Sequence, residues 1–154
     1  MDHAEKTMLL VPICEMVDRM QPVGSRITCN PPPMDTDEDY LLYVGHEYGS
    51  GDGVPLMVVK DAEIRLMEVE LYLKGSGWEM GGSLPNEVRY DVNPSEKFCS
   101  WTLGELNLII ATSDEFFRRF LAATAVAKEF NLMEKAARIK LFQAVLYGKH
   151  PEVF

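Results

Sequence analysis

The stretch that most constrains this chain places a tight turn and a pair of acids ahead of an apolar strand. It begins with Val23-Gly24-Ser25-Arg26, continues after a gap with Asp37-Glu38-Asp39, and leads into the apolar run 40–44. Successive side chains of a strand point to opposite faces, so Asp37 and Asp39 are expected to project from the same face. The pattern therefore predicts two carboxylates that converge on one point at the mouth of a buried strand.

Such a pair of acids needs a partner, because neighbouring carboxylates repel unless a cation keeps both ionised. Mg²⁺ suits the pair, since it takes oxygen ligands and commonly binds one or two carboxylates together with substrate phosphate and water. The Gly24-Ser25 turn supplies backbone N–H groups and a hydroxyl for a phosphate, and Arg26 adds a guanidinium for the same anion. The stretch thus predicts a site for a Mg²⁺-bound nucleoside triphosphate.

This combination of a hydrophobic residue, Gly-Ser and a later Asp-x-Asp resembles the nucleotidyltransferase superfamily that includes DNA polymerase beta. It is most similar to the short, single-domain nucleotidyltransferase-like proteins encoded by bacteriophages, from about Met20 to the end of the chain. The resemblance implies transfer of a nucleotidyl group from a nucleoside triphosphate to a hydroxyl acceptor. The residues that it implies are Asp37 and Asp39 for catalysis and Mg²⁺, and Gly24, Ser25 and Arg26 for the nucleotide.

The family takes a third carboxylate from a later strand, and the matching strand here is 105–110. Asn107 stands where that acid is expected, and Glu105 is the nearest substitute, with alternation placing both on one face. The residue between the two aspartates, usually apolar in the family, is Glu38. These departures leave two hypotheses open: an active enzyme, which we favour slightly, and a catalytically degenerate interaction protein.

The composition is that of an ordinary soluble globular protein, and 154 residues allow one domain over 1–154. The formal net charge of −9 argues against strong nonspecific nucleic-acid binding but suits a basic protein partner, for a phage protein one from the host. Cys14, Cys29 and Cys99 have no paired spacing and are expected to be reduced thiols in or near the core. No signal peptide or membrane span is evident, so a cytoplasmic location is expected, which for a phage protein is the host cytoplasm.

The chain predicts an α+β fold, a mixed sheet with helices on one of its faces. We expect an N-terminal helix over about 4–20, in one piece or in two around Pro12, a sheet core over about 23–112, and two C-terminal helices over about 113–148. The stretch 61–74 alternates as a strand does but favours a helix by its length and its Gly-Ser-Gly stop, and 97–103 with 106–112 predict a hairpin. The glycine-rich stretch 46–53 is expected to be a loop. Thr112 and Asn131 are the expected helix caps.

Overall fold

The computed structural model of this protein describes residues 1–34, 37–45, 56–81 and 98–148. These residues form the predicted α+β fold, with a mixed five-stranded sheet. The predicted loop at 46–53 lies outside them. In chain order the elements are α1 (His3–Met16), β1 (Arg19–Val23), α2 (Ser25–Thr28), β2 (Glu38–Tyr43), α3 (Leu56–Gly75), β3 (Glu79–Met80), β4 (Phe98–Leu103), β5 (Leu106–Ala111), α4 (Asp114–Glu129) and α5 (Lys135–Tyr147).

The sheet has the strand order β1-β2-β5-β4-β3, and its two innermost contacts are of different kinds. β2 and β5 run parallel, while β1 pairs with β2, β4 with β5 and β3 with β4 in antiparallel fashion. The predicted hairpin is confirmed as β4 and β5, which turn at Gly104 with φ of +59°. Because β2 and β5 start at the same edge of the sheet, residues that open these two strands lie side by side.

Helices cover both faces of this sheet, so the prediction of helices on one face was wrong. One face, here called the α4–α5 face, packs odd-numbered strand residues such as Leu41 and Ile109 against Phe117 and Phe142. The other, the α1–α3 face, packs the even-numbered neighbours of those residues against α1 and α3; its buried members include Ile13, Leu42, Val69, Leu73, Leu108 and Ile110. In β2 and β5, odd- and even-numbered positions both carry apolar side chains, as expected for strands covered on both sides.

The N-terminal helix ends earlier than predicted, at Met16, and runs through Pro12 without a break. The remainder of the predicted helix is β1, an edge strand in which Val23 is the one buried residue. An edge strand has a single neighbour, so it accepts polar side chains and a proline such as Pro22. This position explains why a strand with so little apolar character forms next to the turn at Gly24.

The later elements follow the sequence with shifts at their caps. α3 confirms a helix over the ambiguous stretch 61–74. α4 starts after Ser113 rather than Thr112, because the Ser113 side chain accepts a hydrogen bond from the Phe116 N–H at 3.3 Å. All three cysteines are free thiols, with Cys29 buried and Cys99 partly buried as predicted. The expected position in or near the core is wrong for Cys14, which is exposed. In the part of the chain that the structure describes, none of the helices has the length and apolar character to cross a membrane.

Candidate active site

Three of the predicted site residues, Gly24, Asp39 and Asn107, lie together where β2 and β5 begin. Val23 of β1, Asp39 of β2 and Asn107 of β5 are register partners, and they form a row across three neighbouring strands. Asp39 and Asn107 open the columns that continue into the core of the α4–α5 face. Because β1 runs antiparallel to β2, it ends at the point where β2 starts, and Gly24 follows directly beside Asp39.

The Gly24 turn lies against the carboxylate of Asp39. Gly24 has φ of +82° and ψ of −176°, a conformation that essentially only glycine adopts. A β-carbon at this position would lie 2.2 Å from Asp39 Oδ2 and 3.0 Å from Asp39 Cγ. Both the backbone conformation and the contact therefore require glycine, and the contact partner in the folded chain is the acid itself.

Asn107 holds the other oxygen of the same carboxylate. Its Nδ2 donates a hydrogen bond of 2.9 Å to Asp39 Oδ1. The amide has to face the acid in this orientation, because a carboxylate only accepts hydrogen bonds. Asn107 is 1% exposed, and its Oδ1 has no hydrogen-bond partner within the described residues. Asp39 is thus fixed from two sides, by the Gly24 backbone and by an amide where the family resemblance implies an acid.

Glu38 points to the opposite face of the sheet, where its carboxylate accepts hydrogen bonds from three donors. Lys6 Nζ of α1 and Arg26 Nη1 bind Glu38 Oε1 at 2.8 Å and 3.0 Å, and the Tyr40 hydroxyl donates to Oε2 at 3.3 Å. The hydrogen bond to Glu38 raises the pKa of Lys6, while burial first and the Glu38 charge second raise the pKa of Tyr40. A polar residue is tolerated at position 38 because α1 and the Gly-Ser turn supply its counter-ions. Arg26, the predicted phosphate ligand, binds this carboxylate in the folded chain.

Glu105 belongs to the same group of charges as Glu38, apart from Asn107. Its carboxylate lies 3.0 Å from the Met1 ammonium, 3.6 Å from Lys6 Nζ and 4.0 Å from Arg26 Nη2. The hydrogen bond from the Met1 ammonium is the largest cause of the lowered pKa of Glu105, and the charges of Lys6 and Arg26 act in the same direction. The expected common face for Glu105 and Asn107 does not form, since Glu105 lies in the hairpin turn before β5, where strand alternation has not begun.

The segment after the Gly-Ser turn is tied to the corner between α4 and α5. The Asn131 side chain, expected to cap a helix, accepts from the Asn30 N–H at 2.9 Å and donates to the Asn30 carbonyl at 3.2 Å. The buried Arg138 guanidinium contacts Cys29 Sγ at 3.3 Å and donates to the Leu132 carbonyl at 2.9 Å. These contacts fix the far end of α2, and with it the position of the turn that bears on Asp39.

The donor set matches the chemistry of Mg²⁺ at the level of ligand type. Asp37 precedes β2 and is exposed, Asp39 is half-buried, and the unpaired Oδ1 of Asn107 adds a neutral oxygen on a side chain that contacts Asp39. Two carboxylates with phosphate and water form a usual Mg²⁺ shell, and a buried oxygen without a partner is explained most simply by an ion or water next to it. No cluster of three or more His, Cys, Asp or Glu side chains suited to a metal occurs in the described ranges. The residues present therefore fit a site completed by substrate oxygens.

A cavity of about 310 Å³ opens beside this site, between α1, the end of β1 with α2, and the start of β2. Asp39 and Arg26 form part of its wall, so it adjoins the start of β2 and the turn. Its α1 wall, including Lys6, was not foreseen in the sequence. The one available signal was Glu38 itself, because an acid at a position expected to be buried needs a cation from elsewhere in the chain.

Comparisons with known proteins add one distant structural likeness. No protein-family model matches the sequence, and a search of curated proteins returned no match. A solved structure of terminal uridylyl transferase 4 from Trypanosoma brucei, with bound UTP and UpU, is similar with a TM-score of 0.44 and 15% sequence identity. The similarity covers 90% of this chain and 42% of that protein, so this chain spans less than half of its length.

Proposed function

We propose that this protein is a metal-dependent nucleotidyltransferase that transfers a nucleotidyl group from a nucleoside triphosphate to a hydroxyl acceptor. The observation that carries the proposal is the contact of the Gly24 turn with Asp39, in register with Asn107. A turn that only glycine can form is pressed against an acid at the start of a central strand, and a second acid, Asp37, comes two residues before it. This arrangement suits a phosphate chain and its cation.

In this proposal each polar residue of the site has a separate role. Asp37 and Asp39 hold Mg²⁺, which when bound neutralises phosphate charge and polarises the reacting phosphoryl group. The Ser25 hydroxyl and the backbone of the turn donate to the phosphates. The acceptor oxygen forms a bond to the α-phosphorus, the bond from that phosphorus to the bridging oxygen of pyrophosphate breaks, and the hydroxyl proton leaves to water. Asn107 is a neutral amide and cannot take that proton. Its hydrogen bond to Asp39 gives it the role of orienting this acid.

The test is ligand-dependent stability. We expect thermal unfolding with ATP, GTP, CTP and UTP to show a Mg²⁺-dependent rise for at least one nucleotide, since a ligand at about 100 times its Kd stabilises by about 2.7 kcal/mol. Asp37→Asn and Asp39→Asn are expected to abolish the rise, while Glu63→Gln, an exposed acid on α3, keeps it. Activity is then measured as Mg²⁺-dependent pyrophosphate release with candidate acceptors. No rise with any nucleotide contradicts the proposal.

A second candidate, an interaction protein that has lost its chemistry, is favoured by a different surface. The outer side of α3 exposes Ile64, Met67 and Leu71 by 53%, 60% and 67%, at helical spacing and with Glu63 and Glu68 beside them. An apolar stripe between acids on a chain of charge −9 complements a basic amphipathic helix. For a phage protein, the owner of that helix is a host protein.

Two binding measurements, one with a peptide and one with Mg²⁺ and nucleotide, distinguish the two candidate functions. The interaction protein binds a cationic amphipathic peptide with micromolar affinity or better by fluorescence anisotropy, and Met67→Glu removes that binding. An acidic peptide of the same apolar pattern serves as control. Binding of Mg²⁺ and nucleotide by the isolated chain supports the enzyme, and failure to bind the cationic peptide eliminates the alternative.

A further inference from the structure

We propose that the cavity beside Asp39 holds the base and ribose of the bound nucleotide, so that α1 forms the nucleoside pocket of this domain. The inference rests on the proposed function, because it assigns the phosphates to the Gly24 turn and the nucleoside to the space next to it. It makes the N-terminal helix a substrate-binding element in addition to a cover for the α1–α3 face.

The position of the cavity carries the first step. Asp39 and Arg26 line it, and so does Val23, the residue before Gly24. Because Val23 and Arg26 flank the turn, a nucleotide whose phosphates lie at the turn has this cavity within reach of its remaining half. The walls on β1 and β2 are fixed relative to each other, since Val23 and Asp39 are register partners.

The size and lining of the cavity carry the second step. A volume of about 310 Å³ is at the lower end of the range for small-molecule sites, roughly 300–1,000 Å³. It suits one nucleoside, not a nucleic-acid strand or a folded segment of a partner. Leu10, Ile27 and the ring of Tyr40 provide apolar surface for a planar base, and Lys6 provides N–H donors for ring or ribose oxygens. Thr7 lines the cavity without a free donor, because its hydroxyl donates to the His3 carbonyl at 2.9 Å.

The α1 wall is held in place independently of any ligand. Lys6 binds Glu38 at 2.8 Å, next to Asp39 in sequence, and Ile13 further along α1 is 1% exposed in the core of the α1–α3 face. The wall is therefore formed before binding, which lowers the conformational cost of ordering a ligand there. The same ion pair couples the position of α1 to the strand that carries the acids.

The experiment fills the cavity with a side chain from α1 and compares two kinds of ligand, nucleoside triphosphates and inorganic tripolyphosphate. Thr7→Trp places an indole into the cavity, Thr7→Ala leaves it open, and Met8→Trp puts the same side chain on the outside of the helix, where Met8 is 77% exposed. Titration calorimetry then measures Mg²⁺ binding with each of the four nucleoside triphosphates and with inorganic tripolyphosphate, which has no nucleoside. Thermal unfolding of each variant confirms that it is folded.

The expected result is selective. Thr7→Trp should weaken nucleotide binding about tenfold or more, because a nucleoside buries most of its surface in its pocket, and leave tripolyphosphate binding unchanged. Thr7→Ala and Met8→Trp should bind both ligands as the original chain does. If Thr7→Trp binds nucleotide normally, the pocket is elsewhere although the phosphate site stands. If the unchanged chain binds neither ligand, the proposed function fails, and this inference fails with it.

Discussion

Replacing Gly24 by alanine tests the contact on which the proposed site depends. The added β-carbon would lie 2.2 Å from Asp39 Oδ2 and 3.0 Å from Asp39 Cγ, so the acid or the turn has to move. The conformation alone costs an alanine about 1–3 kcal/mol, and overpacking of this kind adds about 1–3 kcal/mol. We expect Gly24→Ala to lower the free energy of unfolding by about 2–6 kcal/mol, the range given by adding these two costs. Mg²⁺-nucleotide binding is expected to be lost in the molecules that remain folded.

A matched variant separates these two costs. Gly77 has φ of +90°, close to the φ of +82° at Gly24, but nothing lies within 4 Å of the β-carbon that alanine would add there. Gly77→Ala therefore carries the backbone cost alone, and urea unfolding of both variants isolates the cost of the contact with Asp39. The difference between them should be at least about 1 kcal/mol. Equal destabilisation of the two variants, with nucleotide binding retained in Gly24→Ala, would refute the reasoning about this turn.

Three further predictions concern single side chains. Asn107→Asp places a carboxylate where the amide now lies 2.9 Å from Asp39 Oδ1, so it should destabilise the chain by about 1–3 kcal/mol in EDTA; Mg²⁺ should restore the thermal midpoint, whereas Asn107→Leu should not respond to Mg²⁺. Alkylation by iodoacetamide followed by mass spectrometry should label exposed Cys14 well before Cys99, because burial first and the Glu70 charge second raise the pKa of Cys99 to about 11. Glu105 has a lowered pKa in the folded chain, so its contribution to stability is present above its unfolded pKa of about 4.3 and is lost as the pH falls through the folded value; the midpoint of Glu105→Gln should lie below that of the original chain near neutral pH, and the difference should vanish under strongly acidic conditions.

The sequence predicted the central strands and the hairpin because their signals are local. The apolar run after Asp39 and the alternation on either side of Gly104 depend on neighbours within a few residues, and both appear as expected. The edge strand β1 was not predicted, because Arg19 and Gln21 are polar and Val23 is its one buried residue. Its formation depends on pairing with β2, a long-range contact to which the residues of β1 themselves give no local signal.

For the site, too, local patterns were predictable and long-range contacts were not. The alternation rule correctly separates Glu38 from Asp39, and the register of β2 with β5 places Asn107 next to Asp39. The partners of Glu38 were not predictable, because Lys6 lies on a helix far away in the sequence and reaches the strand only through the packing of α1 on the α1–α3 face. Strand periodicity also misplaced Glu105, since the rule holds only once a strand has begun.

Asn107 and Glu38 are the two positions where this chain departs from the pattern it resembles, and the structure gives each a consistent electrostatic role. An acid at 107 would face Asp39 at hydrogen-bond distance inside a buried row, and the two charges would oppose each other whenever no cation is bound. The amide removes that repulsion and holds Asp39 in place. Position 107 thus carries no carboxylate, whereas Glu38 places one on the opposite face of the sheet. Lys6 and Arg26 neutralise Glu38, and the pair with Lys6 joins α1 to β2. In the proposed metal site, two carboxylates in place of three would attract a cation alone less strongly, so the phosphates of the nucleotide would supply the remaining negative ligands. Metal and nucleotide are then expected to bind together, and the cavity under α1 lies where the rest of that nucleotide would extend.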